Sequence, residues 1–348
     1  MDNLLKKLSE APSISGYEEN VGKIIKAELK GKVDEIREDS FGNIITRKGS
    51  GKTRIMLAAH MDEVGLIVKL IDDNGFIKFA RVGGLDNQVI LCQRVHVHTR
   101  KGVLLGVLGA KPVHMMKEEE SKMAIKPEAM FIDLGFKDKK AVESAGVKIG
   151  DWISFDRDTV KCGTRITGKA FDNRIGCAVL IELMKKITPK CEVYGVFTAQ
   201  EETGLKGARV SAFGIDPHIA LAIDTDLVGD TPGLTAEDCN ASLGKGPAIT
   251  ISDGGRDGST GAGLMTSRKI IDWLEDSAKK AKIKYQLLVS SGGTTDATII
   301  ALNRSGVPTG TLGIPTRYLH TPVQVLDLDD AKDMVKLVES AVNNLPNL

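Results

Sequence analysis

Short apolar runs of strand length alternate with helix-forming segments at both ends of this chain, and this alternation constrains its fold more than any other feature. The predicted strands are 54–59, 193–197, 219–223, 285–289 and 307–312. The predicted helices are 21–29, 172–187, 263–281 and 329–345. Apolar runs without a polar face are typical of strands buried on both sides, and the helices carry apolar residues at three- and four-residue spacing. We therefore predict an α/β fold, with a mixed sheet flanked by helices.

Between residues 65 and 168 the pattern changes to hairpins. Short apolar runs alternate there with turn sequences such as Asp73-Asn74-Gly75 and Lys101-Gly102, and the one predicted helix, 137–145, is short. We predict that residues 1–64 and 169–348 form the α/β domain, and that residues 65–168 form a β-rich domain inserted into it.

The composition excludes several classes of function. The 348 residues carry a net charge of +1, and no stretch combines basic and aromatic residues, so we expect no nucleic-acid partner. No apolar run is long enough for a signal peptide or a membrane span. The five cysteines form no C-x-x-C pair, which favours free thiols in a reducing compartment. We expect a cytoplasmic protein.

Polar residues that can bind metals stand where four of the predicted strands end. Functional groups of open α/β sheets gather at the carboxyl ends of the strands. The residues found there, together with a predicted helix cap at Asp172, are His60, Asp62, Glu201, Glu202, Asp224 and His320.

Histidine and carboxylate ligands together are typical of sites for zinc, cobalt or manganese. A single ion would use only three of these groups. Two ions about 3.5–4 Å apart, bridged by a carboxylate, would use the whole set. Three ligand carboxylates would leave two divalent ions with one positive charge, which a bridging hydroxide would neutralise. The sequence therefore favours two ions over one.

Each of these residues also has a purely structural interpretation. A histidine at a strand end can be a satisfied core residue, Asp172 can be an ordinary helix cap, and adjacent glutamates can face solvent. Four strand ends that all deliver ligand-type residues are hard to explain by structural needs alone. Two other patterns favour the structural interpretation: His96 and His98 share one strand face, and the glycine-rich stretch 253–258 lacks a phosphate-loop sequence.

Five ordered segments resemble the motifs of the tetrahedral aminopeptidases, which are self-compartmentalising exopeptidases that use two metal ions. The segments are AAHMDEVGLIV, GKAFDNRIGC, TAQEETGLKGA, AIDTD and IPTRYLHTPVQV. The resemblance covers essentially the whole chain, including RVGGLDNQVILCQRVHVHTRKGVLLGVLGAKPVH within the predicted insertion.

The resemblance implies a role for each candidate residue. Asp172 would bridge two ions, zinc or cobalt, with manganese as a further possibility. His60 and Asp224 would complete one ion's ligands, and Glu202 and His320 the other's. Successive side chains at a strand end point in different directions, so Glu201 and Glu202 can serve different partners.

The remaining implied roles concern the reaction and the assembly. Glu201 would be the general base for water, and Asp62 would orient His60. The resemblance also implies a metallo-exopeptidase fold with a PDZ-like or barrel-like dimerisation domain, and a dodecamer built from six dimers. Its substrates would be peptides with a free amino terminus.

Two positions depart from the family pattern. The loop 292–297 resembles a G-T-D-A element but carries two threonines, Thr294 and Thr295, so specificity is not carried over with the resemblance. Gln324 stands where an acid is common, and we expect this to change only an outer contact.

Two other functions compete with an aminopeptidase. In a glycosidase, Glu201 and Glu202 would form an acid–nucleophile pair, but such carboxyls stand about 5 Å or more apart and need no histidines. Aromatic residues for sugar stacking make up only 4% of the chain. A non-catalytic assembly protein could hold metals structurally, but it would have no use for a general base at Glu201.

Overall fold

The computed structural model describes residues 1–254, 263–290 and 292–346. Its strands are β1 Glu35–Glu38, β2 Ile44–Lys48, β3 Arg54–His60, β4 Gly65–Ile71, β5 Ile77–Val82, β6 Arg94–Thr99, β7 Gly102–Gly109, β8 Phe131–Asp133, β9 Trp152–Phe155, β10 Val160–Cys162, β11 Arg165–Gly168, β12 Glu192–Thr198, β13 Ile219–Asp226, β14 Ala248–Ser252, β15 Gln286–Val289, β16 Thr309–Arg317 and β17 Gln324–Leu326. Its helices are α1 Asp2–Glu10, α2 Glu19–Leu29, α3 Asn87–Ile90, α4 Glu118–Ser121, α5 Lys139–Ser144, α6 Phe171–Lys186, α7 Lys206–Ile215, α8 Arg268–Ala281, α9 Asp296–Ala301 and α10 Leu328–Asn343.

Eleven strands form one mixed sheet. Nine of them follow the order β1-β2-β12-β3-β13-β16-β17-β11-β10, and β14 and β15 join it through β16. The pairs β12–β3, β3–β13 and β13–β16 are parallel. The carboxyl ends of these four strands therefore meet at one edge of the sheet.

Both faces of this sheet are covered, as the apolar strand runs predict. Along β3, Ile55 and Leu57 pack into the larger core with the side chains of α6, whereas Met56 and Ala58 pack into a second core with α7. Alternate residues of a strand point to opposite faces, so a run without polar residues can fill both layers at once. This burial on both faces holds the central strands, and therefore their carboxyl ends, in place between the two helical layers.

The hairpin-rich region folds into a closed barrel of six strands in the order β4-β5-β8-β7-β6-β9. Every pairing among these strands is antiparallel. Its separate core includes Leu66, Ile77, Val95, Val97 and Ile153. The predicted fold class, an α/β domain with an inserted β-rich domain, is confirmed.

The hairpin of β10 and β11 belongs to the large sheet by its backbone hydrogen bonds. Strand β11 pairs with β17 over Ile166–Gly168. The sequence analysis assigns residues 160–168 to the insertion, because short strands separated by a turn look alike in either sheet.

Several predicted boundaries were wrong. The helix predicted from residue 263 begins at Arg268, because Met265 instead forms a β-bridge with Ser252. Strands β13 and β16 continue beyond their apolar runs to Asp226 and Arg317, since their parallel ladder extends past Asp224. No sequence pattern predicted β14, β17, α7 or α9.

The five cysteines are free thiols. Among the described residues, no helix is long and apolar enough to cross a membrane. The glycine-rich stretch discussed above lies largely outside the described residues, at 255–258.

Close packing of α6 against β13 leads to a prediction about stability. A Cβ atom on Gly176 would lie 2.8 Å from the carbonyl oxygen of Ile223 and would collide with the Asn173 side chain. Gly176→Ala should therefore lower the free energy of unfolding by about 1–3 kcal/mol, measured by denaturant titration. Gly214→Ala is the matched control, because Gly214 is also helical but faces open space, and it should be neutral or stabilise by up to about 1 kcal/mol. Equal stability of the two variants would contradict this account of the packing.

Candidate metal centre

Four parallel strands bring the predicted site residues to one edge of the sheet. His60 is the last residue of β3, and Glu201 and Glu202 follow the end of β12. Asp224 lies within β13, two residues before its end, and His320 follows β16. We expected Asp224 just beyond its strand, and the structure places it inside.

Three sharp turns aim these side chains at one another. Ala170, Gln200 and His320 all have left-handed backbone conformations, with φ between 55° and 57°. Such values are uncommon for residues other than glycine and occur often at functional sites. The first precedes α6, where Asp172 was predicted to be the helix cap. That prediction was wrong by one residue. Asp172 and Asn173 have non-helical torsions, and the side chain of Asn173 caps the regular helix by accepting the backbone N–H of Gly176 at 3.0 Å.

One cluster consists of His60, Asp172 and Asp224. The His60 Nε2 atom lies 3.1 Å from Asp172 Oδ1 and 3.6 Å from Asp224 Oδ1. The His60 and Asp172 side chains are almost entirely buried, as is Asp224. One ligand atom from each of the three could reach a common ion.

A second cluster consists of Asp172, Glu202 and His320. The His320 Nε2 atom lies 3.3 Å from Asp172 Oδ2 and 3.4 Å from Glu202 Oε2. Asp172 is thus shared, with one carboxylate oxygen facing each histidine. Glu201 lies beside the first cluster, with its Oε2 atom 3.9 Å from His60 Nε2.

Asp62 lies behind the two glutamates and holds their backbone. It accepts hydrogen bonds from the backbone N–H groups of Glu201 (3.1 Å) and Glu202 (3.2 Å), and from the Ser15 hydroxyl (2.5 Å). Its Oδ1 atom is 3.4 Å from Nδ1 of His60. Asp62 therefore connects the residues of both clusters without entering either.

Other residues support the site, and the sequence analysis did not single them out. Glu18 accepts the backbone N–H of Gln200, the residue before the two glutamates, at 3.0 Å. Asp296 accepts the Thr198 hydroxyl at the end of β12 at 2.5 Å. Glu18 lies far from the motif residues in sequence, so its spacing carried no signal. Asp296 belongs to the loop 292–297, where the resemblance to a G-T-D-A element marked the segment but not the contact with Thr198.

Gln324 was expected to change only an outer contact. Its Oε1 atom accepts the backbone N–H of Asp172 at 2.8 Å. An acid at this position could accept the same hydrogen bond but would add another negative charge to the site. The neutral amide holds Asp172 without that charge.

The buried carboxylates strongly perturb one another. Burial, together with the charges of neighbouring carboxylates, raises the pKa of Glu202 to about 8 and the pKa of Glu201 well above its usual value, although the nearby histidines oppose both shifts. Burial lowers the pKa of His320, but Glu202 and Asp172 outweigh it and raise this pKa to about 10. Burial raises the pKa of Asp172, but hydrogen bonds from His320 and His60 outweigh it, so this pKa is lowered. The cluster has excess negative charge, which protons or metal cations can balance.

The donor set fits divalent metal ions. Each cluster offers one histidine nitrogen and oxygens from two carboxylates, a combination that zinc, cobalt and manganese accept. His320 is held through its other nitrogen, since Nδ1 lies 3.0 Å from the carbonyl oxygen of Gly84. A histidine that donates from Nδ1 presents an unprotonated Nε2, the form that binds a metal.

The two barrel histidines are held by neighbours of their own. The His98 ring stacks on Trp152 with centroids 3.6 Å apart, and its Nε2 atom is 2.9 Å from the Ser154 hydroxyl. The nearest acid to His96 is Asp156, at 3.8 Å. Within the described ranges, neither histidine belongs to a cluster able to hold an ion.

The fold and the site can now be compared with known proteins. A sequence model of the M42 glutamyl aminopeptidases matches residues 42–337. The chain belongs to this family. The resemblance to the tetrahedral aminopeptidases is thereby confirmed, and the protein is a peptidase hydrolase of a metallopeptidase family.

Two solved structures and one relative show how far the similarity extends. An aminopeptidase from Desulfurococcus kamchatkensis has 40% identity and a TM-score of 0.93, with 99% of this chain and 95% of that chain covered. The TET1 peptidase of Pyrococcus horikoshii, which can assemble into a tetrahedron or a large octahedral shell, has 34% identity and a TM-score of 0.88, with 99% of each chain covered. The lysyl aminopeptidase of Pyrococcus furiosus is 31% identical over 350 residues, which cover 98% of this chain and 96% of that protein.

Proposed function

We propose that this protein is a two-metal aminopeptidase that removes residues from the free amino terminus of peptides. The observation that carries the proposal is the position of Asp172, whose two carboxylate oxygens each face a different histidine. His60 and Asp224 would hold one ion with Asp172, and Glu202 and His320 would hold the other. When bound, the ions, zinc or cobalt with manganese as a further possibility, supply Lewis acidity that polarises the peptide carbonyl and makes water a stronger acid.

In this proposal Glu201 moves the proton. It accepts a proton from the attacking water as the new C–O bond forms, and it gives that proton to the departing amine as the C–N bond breaks. Its position supports this role, since Glu201 lies beside both His60 and Glu202 and its side chain lines the cavity above the clusters. Asp62 acts as a positioning residue, because it fixes both the His60 ring and the backbone of the glutamates.

The geometry does not favour the glycosidase alternative. Glu202 lies against His320, and Glu201 lies near His60, so both glutamates have partners that a sugar-cleaving pair does not need. A purely structural metal site would also leave Glu201 without a role.

We further propose a homo-oligomer, a dodecamer built from dimers, in the cytoplasm. The TET1 peptidase of Pyrococcus horikoshii, which can assemble into a tetrahedron or a large octahedral shell, supports this idea. The barrel offers a surface for such contacts, since Val103, Leu105 and Val107 alternate along β7 and are each about half exposed. Exposed apolar strips of this kind are typical of interaction surfaces. We propose that residues 65–168 form the dimerisation domain.

Two experiments test the proposed reaction: chelation of the metal ions, and blocking of the amino group of the substrate. EDTA should abolish hydrolysis of aminoacyl p-nitroanilides, and added zinc, cobalt or manganese should restore it. Acetylation of the substrate amino group should also abolish hydrolysis, because the proposed reaction needs a free amino terminus. Activity that persists after complete metal removal, confirmed by elemental analysis, would rule the proposal out.

The two glutamates should respond differently to the same substitution. Glu201→Gln keeps its size but cannot accept a proton, so kcat should fall about 10²–10⁴-fold while both ions remain bound. Glu202→Gln exchanges an anionic ligand for a neutral one, so the affinity for one ion should fall first. Metal content and kcat are measured on both purified variants. Loss of a metal from Glu201→Gln alone would reverse the two assignments.

The assembly is tested by light scattering coupled to size-exclusion chromatography. We expect a species larger than a dimer. Leu105→Asp places a charge on the apolar strip of the barrel and should shift the distribution to smaller species. Phe213→Asp on α7, which is equally exposed, is the control for a charge placed elsewhere. A monomer alone at working concentrations would exclude the proposed dodecamer.

A further inference from the structure

A cavity of about 560 Å³ lies over the metal centre, and part of its lining has no role in the proposed reaction. The cavity would hold the substrate, since His60, Glu201 and His320 all line it. The lining residues without a proposed role include Thr225, Asp226, Leu227, Asp253, Ser290 and Thr294.

Asp253 is a buried carboxylate with one oxygen that makes no hydrogen bond to the described residues. It is only 4% exposed, and its Oδ1 atom accepts the backbone N–H of Leu264 at 2.5 Å, but its Oδ2 atom makes no hydrogen bond within the described part of the chain. The Thr225 hydroxyl, 7% exposed, also lacks a partner there. A buried polar atom without a partner is costly and calls for an explanation. A ligand group that enters the cavity would supply the missing partner.

The cavity has the charge and the apolar surface that suit a long cationic side chain. Asp86, Asp226 and Asp253 contribute carboxylates besides those of the metal centre, and no lysine or arginine is among the described residues that line it. Leu205, Leu227 and Leu319 also line it. Lysine and arginine carry methylene stems that pack on apolar surface and a charged end that pairs with a carboxylate.

We propose that Asp253 is a specificity-determining residue that binds the side-chain cation of an amino-terminal lysine or arginine. This proposal rests on the proposed aminopeptidase function. An amino-terminal glutamate or aspartate would face like charges in the same cavity. An apolar side chain would fit but would leave the carboxylate oxygen of Asp253 without a partner.

Asp253 is a better candidate for this role than Asp226. The Oδ2 atom of Asp226 already accepts the Thr250 hydroxyl at 2.7 Å. Burial, with a contribution from the charge of Asp224, raises the pKa of Asp253 to about 6, and the hydrogen bond from the Leu264 N–H limits the rise. Asp253 is therefore mostly ionised at pH 7.5, where an anion is needed to pair with a lysine.

The proposal is tested with the metal-loaded wild-type protein and Asp253→Asn at pH 7.5. The substrates are the p-nitroanilides of lysine, arginine, leucine and glutamate. For the wild type, kcat/KM should be at least about tenfold higher for lysine and arginine than for leucine, and lowest for glutamate. Asp253→Asn should lose about 10–100-fold on lysine and arginine and stay within about threefold on leucine, because a hydrogen bond to a charged group contributes about 1.5–3 kcal/mol. Asp276→Asn, an exposed residue of α8, is the control with the same change in net charge.

Two results would overturn the proposal. One is a wild-type protein that cleaves leucine or glutamate substrates better than lysine and arginine. The other is an Asp253→Asn variant that loses the same factor on every substrate, which would indicate a structural role. The wild-type comparison can overturn the proposal even if the variant does not fold.

A binding measurement separates this proposal from the proposed function. If the wild type hydrolyses none of the four substrates with any metal, the proposed function fails. Calorimetric titration with free lysine, leucine and glutamate then tests the cavity directly. Tighter binding of lysine, weakened by Asp253→Asn, would support the recognition of a cationic side chain, and equal affinities would reject it.

Discussion

The site depends on one electrostatic constraint: the edge of the sheet carries more buried carboxylates than it has cations to balance them. Those nearest the two histidines are Asp62, Asp172, Glu201, Glu202, Asp224 and Asp296. Burial removes the water that would otherwise stabilise their charges, and like charges at this range raise one another's pKa. Divalent ions bound between the carboxylates would relieve both effects. The same property that makes the carboxylates repel one another thus makes them a strong ligand set for cations.

A second buried network stabilises the carboxyl end of β3, which carries His60. Arg174, whose side chain is fully buried in α6, donates hydrogen bonds to the carbonyl oxygens of Met61 (2.7 Å) and Leu8 (2.6 Å). Lys169 is also buried and pairs with Glu63 at 2.7 Å. Breaking such pairs one partner at a time is costly, since an unpaired charge would remain buried. The network therefore connects the amino-terminal helix and the start of α6 to the loop after β3, which contains Asp62 and directly follows His60.

The barrel contributes directly to the site through the loop after β5. Gly84 provides the carbonyl oxygen that orients His320, and a Cβ atom on Gly84 would lie 2.9 Å from the His320 ring. Asp86 from the same loop lines the cavity. A change in the position of the barrel would therefore move the hydrogen-bond partner of His320. In the proposed assembly, contacts made by the barrel would be physically connected to the geometry of the site through this loop.

Local patterns in the sequence were enough to predict the core of the sheet, the inserted β-rich unit and the residues that meet at the strand ends. Apolar runs such as residues 54–59 can only be satisfied by burial on both faces, and parallel strands necessarily end at the same edge. The resemblance to the tetrahedral aminopeptidases also came from local motifs, which the family match confirms. The roles assigned to Glu201, Glu202 and the other site residues remain proposals.

Which residues far apart in the sequence become neighbours is visible only in the folded chain. The sharing of Asp172 depends on the left-handed turn at Ala170, and the support given by Glu18 and Gly84 depends on loops folding back over long stretches of chain. The Oδ2 atom of Asp253 lacks a hydrogen-bond partner among the described residues, and this too can be seen only when the surrounding side chains are in place. Hydrophobic periodicity reports burial along one segment. Hydrogen bonds and charge pairs between segments depend on backbone geometry that no local pattern records.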